Sequence, residues 1–186
     1  MIELIPFTEA DIDRLIGWVD SLETHLLWTA SFFEYPLTRE PFLKLLQESA
    51  ERGDRRFYKA VDSATGEAVG HLELGAIDHR NRSTRIGRVL VAPQAQGRGV
   101  GTGMMRAALE IAFERMGMHR VDLWVFDINP RAIACYEKVG FQHEGLCRES
   151  FKAPEGYWGM MIMSLLESEW RGTPGTAGTT ETVKRS

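Results

Sequence analysis

Between Val89 and Gly117 the chain reads "VLVAPQAQGRGVGTGMMRAALEIAFERMG". An apolar run with strand character ends in Ala-Pro, and a glycine-spaced turn follows. An amphipathic helix then begins, with Met105, Ala108, Leu109, Ala112, Phe113 and Met116 at helical spacing. Gly97, Gly99, Gly101 and Gly103 alternate through the turn. Small residues let the backbone approach a ligand closely. The free N–H groups at a helix start point to one spot, with the positive end of the helix dipole behind them. The stretch predicts a strand–turn–helix unit that holds a phosphate.

Two common owners of such a turn do not fit. A P-loop needs Gly-x-x-x-x-Gly-Lys-Ser/Thr, because its lysine neutralises the outer phosphates. Here Gly101 is followed by Thr102, Gly103 and Met104, with no lysine. A dinucleotide fingerprint needs Gly-x-Gly-x-x-Gly. Counted from Gly97 or from Gly99, its third glycine falls on Thr102 or Met104. What remains is Gln-x-x-Gly-x-Gly, written with Gln96, Gly99 and Gly101. Its backbone can hold a pyrophosphate with little side-chain charge.

The rest of the chain frames this unit. Its 186 residues suit one domain with a substantial core. A net charge of -4 argues against a nucleic-acid binder. Cys135 and Cys147 are too few for a disulfide scaffold or a zinc site, so a reduced, cytoplasmic setting is expected. The N-terminal "MIELIPFTEADIDRLIGW" reads as neither a secretory signal nor a membrane anchor. "IELIPF" predicts a strand, and Thr8 with Asp11 predicts a helix start before "DIDRLIGWVDSL". "ETHLLWTASFFEYPL" predicts a short helix running into a loop, and Thr38 caps "REPFLKLLQESAERG". Three hairpin-linked strands follow, in "RRFYKAVD", "AVGHLELGAID" and "TRIGRVLVAP". Beyond the long helix come a buried strand "RVDLWVF", a helix "PRAIACYEKVG", and two strands in "FQHEGLCRES" and "YWGMMIMSLLESEW". The expected class is α+β, a mixed, mostly antiparallel twisted sheet of about six or seven strands flanked by about four or five helices. The expected domain spans 1–170, and 171–186, rich in Gly and Thr, reads as a flexible tail.

With "NPRAIACYEKVGF" downstream of "VLVAPQAQGRGVGTGMM", the chain resembles the GNAT superfamily of acetyl-CoA-dependent N-acetyltransferases. The downstream motif looks like that family's Asn-x-x-Ala-x-x-x-Tyr-x-x-x-Gly-Phe, with Asn129, Ala132, Tyr136, Gly140 and Phe141. "AVGHLELGAIDHRNRSTRIGRVLV" and "FQHEGLCRESF" further resemble the ribosomal-protein N-acetyltransferase-like branch. The resemblance implies attack of a primary amine on the thioester of acetyl-CoA, with no metal. The acceptor is a small-molecule amine or a protein N-terminus, with neither nucleic acid nor membrane as partner and with a homodimer admitted. A non-catalytic acyl-CoA sensor of the same fold is the alternative.

It also implies roles for particular residues. The backbone of Val89, Leu90 and Val91 pairs with pantetheine, and Gly97, Arg98, Gly99, Val100, Gly101 and Thr102 cradle the pyrophosphate. Arg98 adds charge or is merely solvated. Asn129 caps a helix that starts with Pro130, and in the family it also lies near the cofactor. Tyr136 is the expected general acid, since a phenol suits a departing thiolate. Cys135, its neighbour, reads as a small buried thiol. The general base is the weakest point, because Trp124 stands where one branch holds a glutamate. Glu73, on the same strand face as His71, is the remaining carboxylate, acting directly or through water; otherwise the amine loses its proton to solvent. Trp28, Phe32, Phe33, Tyr35 and Trp158 wall an acceptor pocket or fill the core. Gly159 stands where an acid is expected before the last strand. The acceptors left open are a protein N-terminus, a free amino acid, a polyamine or an amino sugar.

Overall fold

The computed structural model describes residues 1–170. The predicted tail, 171–186, lies outside the described residues. In chain order the elements are β1 (Ile2–Pro6), α1 (Ile12–Gly17), α2 (Leu22–Thr29), α3 (Arg39–Arg52), β2 (Arg56–Asp62), β3 (Ala68–Asp78), β4 (Ser83–Val91), α4 (Val100–Glu110), β5 (Arg120–Phe126), α5 (Pro130–Lys138), β6 (Gln142–Ala153) and β7 (Gly156–Leu166). α4 continues into one wider π turn at Ile111–Arg115. The strands form one seven-stranded sheet in the order β1-β2-β3-β4-β5-β7-β6. Every pairing is antiparallel except β4 with β5, which the α4 crossover makes parallel. The α+β expectation therefore holds.

Alternation along β3 assigns the two faces of the sheet. Leu72 and Leu74 are fully buried on the face covered by α4. There Gly70 lets Met104 of α4 sit against the strand, since a Cβ at Gly70 would fall 2.5 Å from the Met104 sulfur. On the opposite face His71 packs against Phe42 of α3, with ring centroids 5.8 Å apart, and against Trp28 of α2, at 5.9 Å. Phe7 and Phe57 close the ring of aromatics around it.

Three local expectations change. The first helix is shorter than "DIDRLIGWVDSL" suggests. Asp11 accepts from the Thr8 backbone N–H and hydroxyl, both at 3.0 Å, so the capping pair forms, but around a single 3-10 turn. α1 stops at Gly17, and Ser21 starts α2 by accepting from the Thr24 N–H at 3.1 Å. A second cap four residues beyond the glycine outcompetes continuation. Thr38 stands at the N-terminus of α3 without a side-chain cap bond, while Gly53 ends that helix in the left-handed region, φ 66°. The last hairpin is also longer than predicted, because β6 runs on to Ala153.

Burial pushes the His71 imidazole down to about 3, with the Arg88 charge acting in the same direction. The folded state therefore keeps His71 neutral where the unfolded chain takes up a proton. Stability from this group is complete above pH 6.5 and falls as pH drops from 6.5 towards 3. His71→Leu is expected to flatten that slope by on the order of a few kcal/mol, read by urea unfolding across the interval. Parallel slopes for the two proteins would show that His71 carries none of it.

Candidate active site

The parallel pair at the centre of the sheet is short. β4 and β5 are in register only at Ser83↔Arg120, Thr84↔Val121 and Arg85↔Asp122. Arg85 donates to Asp122 at the last of these rungs. Beyond it β5 stays paired to β7 through Phe126, while β4 stays with β3 through Val91. The two strands thus diverge with no rung between them, leaving a wedge. A β-bulge lies on its β4 side. Glu73 opposes Gly87 and His71 opposes Leu90, so Arg88 and Val89 together face Leu72. Arg88 takes a positive φ of 44° to do so, and its carbonyl accepts from the Trp28 indole N–H at 2.7 Å. Val89, Leu90 and Val91, expected at a cofactor edge, run along this side of the wedge.

The glycine turn lies at the open end. Gly97 and Gly99 have φ of 75° and 77°, the left-handed region that side chains resist, although a Cβ at either would meet no atom. Gly101 and Gly103 serve other ends. A Cβ at Gly101 would make ordinary contact with Cys135 Sγ at 3.5 Å and Val91 at 3.7 Å. One at Gly103 would fall 2.8 Å from Ile2, so that glycine lets α4 pack on β1. Gly103 N–H donates to Gly99. The N–H groups of Val100, Gly101 and Thr102, earlier in α4, have no acceptor within the helix. Arg98 is exposed beside them. The turn is thus a nest of backbone donors suited to an anion.

α5 borders the turn. Asn129 caps it, its Oδ1 accepting from the Ala132 N–H at 3.1 Å. Thr102 Oγ1 lies 3.6 Å from Cys135 Sγ, which ties α5 to the start of α4. Cys135 is half-buried, not the buried thiol expected, because it lines this junction. Tyr136 is buried against Phe141, at a centroid distance of 6.2 Å. Burial, followed by the neighbouring Cys135, raises its phenol above the usual range and keeps the proton on oxygen.

The face opposite α4 carries polar chemistry that the sequence only partly announced. His71 and Glu73 share it, as expected, but they do not act together. His71 is sealed among aromatics, whereas Glu73 Oε1 accepts from Arg55 Nη1 and from Arg88 Nη1, the latter at 2.6 Å. Glu73 Oε2 is buried without a partner. Burial lowers the Arg88 guanidinium from its usual value, with Glu73 opposing the shift. Trp124 lies on the same face, 51% exposed, with Arg85 4.1 Å above its ring. The early aromatics divide: Trp28 and Phe33 are core, while Phe32 and Tyr35 are exposed. Trp158 packs with Phe126 and Phe151. No acid fits at Gly159. Its N–H donates to Asp127 Oδ1 at 3.0 Å, and a Cβ there would fall 2.5 Å from the other oxygen. Arg55 and Arg88 escaped the sequence reading because nothing local marks them; they meet Glu73 from 18 and 15 residues away.

Wedge, donor nest and neighbouring phenol form the kind of site that takes a long ligand with an anionic end between two strands. Known proteins resemble the chain in sequence and in fold. A spermidine N(1)-acetyltransferase of Vibrio cholerae is 31% identical over 131 residues, 70% of this chain and 72% of the relative. A putative ribosomal N-acetyltransferase of Bacillus subtilis, YdaF, is 30% identical over 107 residues, 58% of each. The crystal structure of spermidine N-acetyltransferase from Vibrio cholerae in complex with CoA and spermine superposes with a TM-score of 0.80 at 23% identity. It covers 90% of this chain and 96% of that one, and shows the shared fold. Residues 22–141 match the acetyltransferase (GNAT) family, which takes in the wedge, the glycine turn and α5 together, and the chain belongs to that family.

Proposed function

We propose that the chain moves the acetyl group of acetyl-CoA to a primary amine by direct attack, with donor and acceptor bound together. The observation that carries this reading is the β4–β5 wedge opening onto the donor nest at Gly97–Thr102. Acetyl-CoA supplies an activated acyl group. Val89, Leu90 and Val91 hold its pantetheine arm through their backbone, and Gly97 to Thr102 hold its pyrophosphate, with Arg98 adding charge. Asn129 rigidifies the start of α5, the helix that carries Tyr136.

In the transfer a C–N bond forms and the C–S bond breaks. The amine gives up one proton, and the leaving sulfur gains one. Tyr136 is the donor to sulfur: its raised phenol holds a proton at every working pH, and its hydroxyl makes no side-chain hydrogen bond among the described residues. Glu73 takes the amine proton through a relaying water, since Oε1 is engaged by arginines and Oε2 is sealed from direct approach; otherwise the amine loses its proton to solvent. The names of the relatives bring spermidine and a ribosomal target into the acceptor panel, beside protein N-termini, amino acids and amino sugars. Among the described residues no helix is long and apolar enough to cross a membrane. Release of free thiol in the presence of acetyl-CoA and this panel tests the reading. Tight acetyl-CoA binding with no thiol release from any amine would leave a sensor instead.

Three variants probe the roles. Tyr136→Phe is expected to lower kcat at least about tenfold with little change in KM. The wild-type enzyme should also show no falling limb at the ordinary phenol value. Glu73→Gln is expected to lower kcat by roughly 10²-fold; wild-type turnover in that variant would hand the proton to solvent. Gly99→Ala forces a side chain into the left-handed region at a cost of about 1 kcal/mol or more. It is expected to weaken acetyl-CoA binding several-fold by calorimetry, and unchanged affinity would remove the turn from the site.

A further inference from the structure

The ion pairs on the face opposite α4 do not balance. Arg85 answers Asp122 and Arg120 answers Glu144, one to one. Glu73 answers both Arg55 and Arg88 through a single oxygen. Within this cluster one positive charge is therefore left over, shared between Arg55, 21% exposed, and Arg88, 10% exposed and so the harder of the two for water to reach. Nε of Arg55 and Nε of Arg88 are sealed without partners. Nη2 of Arg88 has no protein acceptor among the described residues, yet it is not sealed. Burying an unbalanced cation is costly unless a partner arrives. The Phe32 and Phe33 rings, 4.3 and 5.5 Å from the guanidinium carbon, offset part of that cost.

Position gives this surplus a use. Arg88 is the bulge residue, immediately before the strand edge Val89–Val91. Arg88 stands between that edge and Glu73, and its unsealed Nη2 is the part of the pair open on this face. Exposed Glu34 makes no ion pair with it; that side chain lines a groove whose other walls include Phe32 and Phe33, the rings that pack on the guanidinium.

We propose that the acceptor is a small amine bearing a carboxylate, which Arg88 holds at the bulge while the amine faces Glu73 and the thioester. The inference rests on the acetyltransferase reading and narrows it to amino-acid-like acceptors. A polycation such as spermidine would bring ammonium groups against a guanidinium pair already in excess.

The test compares wild-type kcat/KM for L-amino acids, for the same compounds as carboxamides, for spermidine and for phosphoethanolamine, with thiol release as readout. The best amino acid is expected to exceed its carboxamide at least about tenfold, as one charged hydrogen bond supplies. Arg88→Gln should raise KM for the acid about tenfold or more and change the carboxamide far less, with Arg88→Lys recovering part of the loss. Should Arg88→Gln fail to fold, the acid–carboxamide ratio in the wild type still decides. Spermidine or a carboxamide equalling the best acid would overturn the proposal and leave the acetyltransferase reading standing. So would a phosphate-bearing amine outpacing every carboxylate, or an equal loss for acid and carboxamide in Arg88→Gln. Thiol release from no amine at all would instead fell the reading beneath it.

Discussion

The site depends on where one strand pairing stops. β5 is committed to β7 along its whole length and β4 to β3, so each already has a full partner on its outer side. Between them only Ser83–Arg85 and Arg120–Asp122 are joined. The Arg85–Asp122 pair at the last rung is partly exposed and contributes about 1 kcal/mol or less. It marks the apex of the wedge more than it holds it. Packing of α4 beneath the sheet, with Met104, Met105, Ala108 and Leu109 wholly buried, keeps the two halves in one body while their edges separate. The same crossover delivers the helix start, and so the donor nest, to the mouth of the gap. One topological choice thus supplies both the slot and the anion site.

How much of this was legible depended on whether the cause was local. The glycine turn was legible because only glycine adopts the φ of Gly97 and Gly99 cheaply, so backbone need is written directly in residue type. The Asn129 cap and the place of Tyr136 on α5 were legible because cap and motif lie within one helix. The bulge at Arg88 was not, since an arginine in the left-handed region gives no sign of itself in sequence. Nor was the Glu73–Arg55–Arg88 cluster, which is assembled across three neighbouring segments. Even the alternating glycines misled in part: two answer a dihedral demand, one borders Cys135, and one makes room for Ile2.

His71 and Glu73 show how far environment outweighs spacing. They lie two apart on one face of β3, both buried. Trp28, Phe42 and Phe57 surround the first, and it stays neutral. The second meets two guanidiniums and stays paired. The boundary between aromatic core and charged cluster therefore falls between neighbouring side chains on one face of β3.

Gly159 limits how the start of β7 can vary. Asp127 and Leu146 already fill the space its side chain would occupy, and its N–H and carbonyl are both bonded to Asp127. A new group cannot be introduced there in one step; Asp127 would have to change first, at the cost of the bond that joins the end of β5 to β7. In the early loop the constraint is mixed: Phe33 is held as a core residue, whereas Phe32 and Tyr35 are exposed and a change at either displaces far less.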